Sequence, residues 1–209
     1  MDARRIVELD IQNFIRKALH IGVLINPRLS GEFFKDRQRI SSKYTRFADE
    51  EDYLENYYKK YEEGEYLAAF IDGAFLQINY EFSIKGKNSS FLEKMNLCYL
   101  PPVIEGKITN EYVRVDYSNT DDNSFFHPYA HIHIGFRNTI RIPVDEVMLF
   151  SEFVKMILYH FYPTQFVELF GESIRTTNTK DTTHLGKLTK EKILTNELTK
   201  YYHLKITVD

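Results

Sequence analysis

Residues 127–163 read HPYAHIHIGFRNTIRIPVDEVMLFSEFVKMILYHFYP, and the fold turns on how this stretch is parsed. His131, His133 and Gly135 alternate with Ile132, Ile134 and Phe136, so an extended strand sends the apolar set to one face and both imidazoles to the other. Beyond Arg137-Asn138-Thr139 the apolar set resumes at Ile140, Ile142 and Val144, with Arg141 on the polar side. The stretch predicts a β-hairpin followed by a helix that stops at Pro163. A one-residue slip would turn one strand inside out, so the buried sides of the pair must coincide. A two-residue loop sets Ile134 against Arg141. A three-residue loop over 137–139 pairs Ile134 with Ile142 and Gly135 with Arg141 instead, and is preferred. Arg141 then lies diagonally beside His133, over a glycine that leaves room for its side chain.

Upstream, Leu76, Ile78, Tyr80, Phe82 and Ile84 alternate with Gln77, Asn79, Glu81 and Ser83, the cleanest strand pattern in the chain. Phe91, Met95, Leu97 and Tyr99 predict a second strand ending at Pro101-Pro102, and Val113, Val115 and Tyr117 a third. Helical spacing of Val7, Ile11, Phe14, Ile15 and Ala18 predicts a helix over 3–21, capped by Gly22. A tyrosine stripe, Tyr53, Leu54, Tyr57, Tyr58 and Tyr61, predicts another over 49–63 with acids in its first turn and Gly64 at its end. The helix after the hairpin starts near Asp145 as N-cap and buries Phe150, Val154, Ile157, Leu158 and Phe161. Phe166 to Phe170 forms one more turn. The sum is an α+β fold: an antiparallel sheet of about five strands with helices packed on one face and a polar opposite face. The α+β domain occupies 1–172, a polar, threonine-rich linker or loop 173–187, and a C-terminal helix and short strand 188–209.

Composition narrows the function classes. At 209 residues with 43% hydrophobic and 15% aromatic content, the chain can bury a substantial core and is not disordered. No apolar run approaches the ~20 residues that span a bilayer, which predicts no membrane partner. The N-terminal stretch lacks a signal-peptide core, and a single cysteine, Cys98, suits a reducing compartment, so a cytoplasmic protein is expected. Net charge is −3 with pI near 6.2, which excludes a surface given over wholly to nucleic acid. A local basic segment remains. Arg28, Lys35, Arg37, Arg39, Lys43 and Arg46 lie among Phe33, Phe34 and Tyr44, a mixture suited to phosphate contacts and base stacking.

The polar face of the sheet collects Glu81, Arg114, Asp116, His131, His133 and Arg141. Histidines two apart on a strand point the same way, ~6.6–7 Å apart at Cα, and can converge on one divalent cation. His131, His133 and His127 form one candidate metal set, with Asp116 an alternative third ligand. His131, His133, Arg141 and Asp116 are the candidate catalytic set: a metal-bound water or an imidazole base beside an arginine that clamps phosphate. A two-histidine spacing is a weak signal, and strand histidines commonly just bond a neighbouring carboxylate. No G-x-S-x-G nucleophile motif, P-loop or dinucleotide fingerprint is present.

The order His127-Pro128, His131-Ile132-His133-Ile134-Gly135, Arg141-Ile142-Pro143 and Phe161-Tyr162-Pro163 resembles an uncharacterised bacterial family catalogued as a domain of unknown function, number 2290. The resemblance implies a bacterial cytoplasmic protein and assigns no catalytic residue. Proteins of this kind often sit in defence or mobile gene cassettes, which implies a partner-dependent role. Two functions follow as expectations. The first is a subunit or binding module that engages a protein partner or nucleic acid through the polar face and the basic segment. The alternative is a metal-dependent or histidine-based hydrolase, a nuclease, with a divalent metal as its one candidate cofactor. A third, an antitoxin or immunity protein, would work through the acidic helix 49–63. Oligomeric state is not legible.

Overall fold

The first helix, α1 (Ala3–His20), buries Val7, Ile11, Phe14, Ile15 and Ala18, the apolar set its spacing predicts. Asp2 caps its start, accepting from Arg5 N. At its end Gly22 takes φ 71, and the Gly22 and Val23 amides reach back to Leu19 O and Ala18 O at 3.1 and 2.9 Å. That pairing is a Schellman cap, which needs the left-handed conformation that glycine adopts without penalty. The computed structural model describes residues 2–30, 33–86, 89–119, 129–136, 141–144 and 147–178, with side-chain surroundings to residue 170.

After α1 come β1 (Leu24–Ile25), β2 (Arg39–Ser41), helix α2 (Glu50–Glu62), β3 (Ala68–Phe70), β4 (Phe75–Ile84) and β5 (Ser90–Leu100). A small hairpin, β6 (Val103–Ile104) and β7 (Lys107–Ile108), precedes β8 (Val113–Ser118), β9 (Ala130–Ile134) and β10 (Ile142–Pro143). Helices α3 (Phe150–Phe161) and α4 (Pro163–Asn178) follow. One sheet of eight strands runs β1-β3-β4-β5-β8-β9-β10, with β2 on the same edge of β4 as β3. Every strand pair in it is antiparallel. The α+β class holds, with a larger sheet than the five strands expected. The additional strands β1, β2 and β3 are two or three residues long, too short for alternation to reveal.

Helices pack on both faces, which corrects the one-sided arrangement. Against one face, α1, α3 and α4 enclose Leu76, Ile78, Tyr80, Met95, Leu97, Val113, Val115 and Ile132 in the main core. Phe150, Phe153 and Val154 of α3 are wholly buried there, each side chain contributing roughly 1.5–3 kcal/mol of transfer free energy. Against the other face, Tyr53 and Tyr57 of α2 join Phe47, Tyr66, Phe75, Cys98, Leu100 and Tyr112 in a second cluster. Tyr53 also donates to Pro101 O at 2.5 Å. Tyr58, read into the buried stripe, is 54% exposed. The tyrosine stripe of α2 therefore faces the end of the sheet where Phe75, Leu100 and Tyr112 leave an apolar patch on the otherwise polar side.

Three local departures have physical causes. Glu81 pairs with Lys94 but Phe82 with Leu92, so the ladder skips Glu93 and turns Phe91 outward, where it is 47% exposed. In the hairpin, Ile142 pairs with Ile132 and Pro143 with His131, two residues from the expected register. A shift of two preserves which face each side chain takes, so alternation alone could not choose between the two pairings. Ile134 stands at the strand end, 43% exposed rather than buried. Gly135 serves its own backbone: φ is 71, its amide donates to Tyr112 O at 2.7 Å, and a Cβ there would meet only Glu111 Oε2 at 3.4 Å.

Helix α3 begins at Phe150 rather than near Asp145, which lies outside the described residues. Its first turn borrows a carboxylate from α1. Ser151 N and Oγ donate to Asp10 at 3.0 and 2.5 Å, placing negative charge at the positive end of the helix. Helix α4 extends through Asn178, so the first residues of the stretch read as linker from 173 are helical. Residues 179–209, with the expected C-terminal helix and strand, lie outside the described residues. No helix among the described residues is long and apolar enough to cross a membrane.

Candidate functional site

The register stacks the polar residues of the sheet into rungs that cross neighbouring strands ~4.8 Å apart. The innermost rung is Gln77, Cys98, Arg114 and His133. The next carries Ser41, Asn79, Asn96, Asp116 and His131. The outermost is Arg39, Glu81, Lys94 and Ser118. Alternation along five strands thus assembles residues distant in sequence on one floor.

Most of that floor is covered rather than open to solvent. Gln77, Asn79, Asn96, Arg114, His131 and His133 are all buried, His133 and Arg114 at 1% exposure. The cover is the segment after β2. Gln77 accepts from Thr45 N at 3.1 Å and donates to Glu65 O at 2.6 Å, pinning the turn that carries Tyr44 and Arg46 over the sheet. What remains is a cavity of about 320 Å3 lined by Tyr44, Asn96, Asp116, Tyr117, His131 and His133, with Arg114 also in its wall. Its other cationic residues are Arg46, Lys94 and Arg141, and Asp116 is the one acid among the lining residues. Arg46 and Lys94 are exposed, so the cavity has a buried polar floor and a cationic mouth.

Asp116 is the hub. Arg114 Nε donates to its Oδ2 at 2.8 Å and Asn96 Nδ2 to its Oδ1 at 2.8 Å. His133 Nε2 lies 3.4 Å and His131 Nε2 3.8 Å from Oδ2. Burial alone would raise the Asp116 pKa, but the His133 hydrogen bond, the Arg114 charge and the Asn96 amide outweigh it and hold the carboxyl at about 2. Asp116 is therefore ionised throughout the physiological range. The two imidazoles stand with ring centroids 4.8 Å apart at 74°. One ligand atom from each of Asp116, His131 and His133 falls within 4.8 Å of the others, close enough to hold a metal ion. Around zinc with bonds of ~2.1 Å, tetrahedral ligand–ligand edges are about 3.4 Å; the Asp116–His133 edge of 3.4 Å fits, the Asp116–His131 edge of 3.8 Å is a little wide, and the imidazoles, whose ligand atoms lie within 4.8 Å of each other, draw together around an ion.

Two nitrogen atoms of cavity-lining residues, Arg114 Nη1 and His133 Nδ1, are buried from solvent and have no hydrogen-bond partner among the described residues. Cys98, beneath Tyr112 Oη at 3.4 Å, is buried, and burial pushes its thiol up to about 12. It is inert packing.

Of the candidate catalytic set, all four residues, Asp116, His131, His133 and Arg141, line this one cavity. His127 lies outside the described residues, and Asp116 completes the three-residue cluster. The basic segment disperses instead of forming one patch. Arg46 reaches the cavity mouth, and Arg39 Nε donates to Asn79 Oδ1 at 2.8 Å on the floor. Lys43 pairs with Glu65 at 3.4 Å, Arg28 lies 5.2 Å over the Tyr66 ring, Arg37 lines a separate small pocket with Asp2 and Arg4, and Lys35 is exposed. Sequence reading gave no role to Arg114, although its two-residue offset from Asp116 puts both on one face. It gave none to Asn96 or Lys94 either, whose place in the cavity depends on partner strands, and it read Tyr44 only as a stacking aromatic of the basic segment.

No curated protein and no solved structure matches the chain. A family model described as an uncharacterized conserved protein matches residues 33–111 and 102–206, the second span containing Asp116, His131, His133 and Arg141. With most of its length matched, and with the site inside the match, the chain belongs to the DUF2290 family.

Proposed function

We propose that the protein is a divalent-metal-dependent phosphodiester hydrolase, a nuclease, acting in the cytoplasm with its centre at Asp116, His131 and His133. One observation carries this reading: a carboxylate and two imidazoles bring ligand atoms within 4.8 Å of one another in a cavity lined also by Arg141, beneath a mouth formed by Arg46 and Lys94. An ion held there would lower the pKa of a bound water and polarise a phosphoryl oxygen. The protein's own groups divide the remaining work. Asp116 and the imidazoles present the ligand atoms, and Asn96 and Arg114 fix the carboxylate's orientation. The mouth cations draw in the phosphate and bind it, and they offset the charge that develops on its oxygens. Because cations outnumber acids in the cavity, the anionic substrate also balances the charge of the ion.

A metal-free variant of the same chemistry is supported by the Arg114–Asp116 contact, which already compensates the carboxylate. Asp116 then orients His133, and an imidazole serves as general base while the arginines clamp phosphate. Docking of a protein partner on this face draws less support, since most of its polar residues are buried.

The test is hydrolysis of bis(p-nitrophenyl) phosphate and of a labelled single-stranded oligonucleotide by chelator-stripped protein, with Mg2+, Mn2+ or Zn2+ restored one at a time. Activity that appears with one of these ions and vanishes on chelation is the expected result. Activity indifferent to chelation would transfer the chemistry to the imidazoles alone, and no cleavage under any condition would overturn the hydrolase.

A further inference from the structure

We infer that the substrate is single-stranded nucleic acid, one nucleotide of which enters the cavity while the flanking backbone follows the outermost polar rung past Lys94 to Arg39. This deepens the hydrolase reading and rests on it for the site of chemistry; beyond the cavity lining the groove adds Arg39.

Depth is the first reason. His131 and His133 are 4% and 1% exposed at the bottom of a cavity of about 320 Å3, room for roughly one nucleotide. A duplex holds its phosphates on a stiff cylinder and cannot lower one to buried imidazoles. A single strand can splay a nucleotide out of line. The walls are the second reason. Tyr44 lines the cavity beside its cations, and an aromatic ring next to a guanidinium or ammonium suits a base attached to a phosphate.

The floor beyond the cavity is the third. On the outermost rung Lys94 stands one strand and one step from Asp116, and Arg39 lies two strands further along. At ~4.8 Å per strand they are about 9.6 Å apart at Cα. Both are exposed, and Arg39 is held down on the floor by its bond to Asn79. Glu81, between them, is drawn to the same Asn79, whose amide donates to Oε1 at 3.0 Å. The rung thus offers a phosphate backbone two exposed cations, Lys94 and Arg39, flanking one carboxylate that Asn79 holds by a hydrogen bond.

Fluorescence anisotropy with a labelled 12-nucleotide strand, as RNA and as DNA, and with the matching duplexes, in chelator to prevent cleavage, tests the inference. Single strands of at least one sugar type are expected to bind tenfold or more tighter than duplex. Lys94→Ala and Arg39→Ala should each weaken single-strand binding and reduce the salt slope by about one counterion. Both residues are surface-exposed, so the fold should persist, and Mn2+ binding in the Arg39→Ala variant, whose side chain lies outside the cavity lining, should match the parent. Equal affinity for duplex and single strand, or variants that bind strand like the parent, would overturn the groove. Mn2+ retained with no strand bound removes this inference and leaves the metal centre standing. Strand bound as described with no Mn2+ retained does the reverse.

Discussion

In the His131→Ala, His133→Ala double variant, divalent-dependent phosphodiester hydrolysis is expected to fall to the level of the buffer control. The two imidazoles supply two of the three ligand atoms in the cavity, and Asp116 alone, already bonded to Arg114 and Asn96, cannot hold an ion in competition with water. The single variants carry the finer information. Loss of one ligand should weaken metal binding by more than the ~10–100-fold that removal of an outer hydrogen-bond partner costs, so raising the Mn2+ concentration should restore part of the rate. A merely structural histidine would show no such rescue. Both rings are buried, so a thermal melt accompanies each rate measurement, and His133→Asn, which keeps a polar amide in the wall, provides the comparison should the alanine fail to fold. Full activity in the double variant would remove the imidazoles from the chemistry altogether.

Asp116→Asn is expected to destabilise the protein by about 3 kcal/mol, the lower end of the cost of removing one partner from a buried ion pair. Arg114 is 1% exposed, and its Nε is 2.8 Å from the Asp116 carboxylate. The amide keeps the shape but leaves the guanidinium without its compensating charge, a loss comparable to a large share of the ~5–15 kcal/mol that holds a domain together. The Arg114→Met, Asp116→Leu double variant should recover much of this, because no charge is then left buried. Urea denaturation at neutral pH reads both. If Asp116→Asn loses less than about 1 kcal/mol, Arg114 does not depend on Asp116 for its charge balance, and the description of Asp116 as the hub fails.

Elements whose period shows on one buried face were legible from sequence. The α1 stripe came through residue for residue and the β4 apolar set from Leu76 to Phe82, because each packs a single contiguous face against the main core. Short strands were not. Arg39–Ser41 carries its meaning only in its pairing with Glu81, Tyr80 and Asn79, some 40 residues away. The hairpin register was open by two residues, since that shift leaves every side chain on its own face. The same parity explains why His131, His133, Asp116 and Arg141 were gathered correctly even though the pairing was misplaced.

The largest misreading concerned the polar face. Gln77, Asn79 and Asn96 look like solvent-facing residues in an alternating strand, and local pattern cannot distinguish a wet face from one roofed by another layer. The roof here is the turn after β2, held by Gln77, with α2 beside it. That covering turns an open sheet surface into a cavity and removes its histidines from water.

The most direct test of the account is a calorimetric titration of Mn2+ into chelator-stripped protein, run alone and with a non-cleavable phosphorothioate strand present. The account predicts one ion per chain, bound more tightly when the anionic strand balances the cationic cavity, and no uptake by the double histidine variant. Absence of stoichiometric binding under both conditions, or equal binding by the variant, would contradict it.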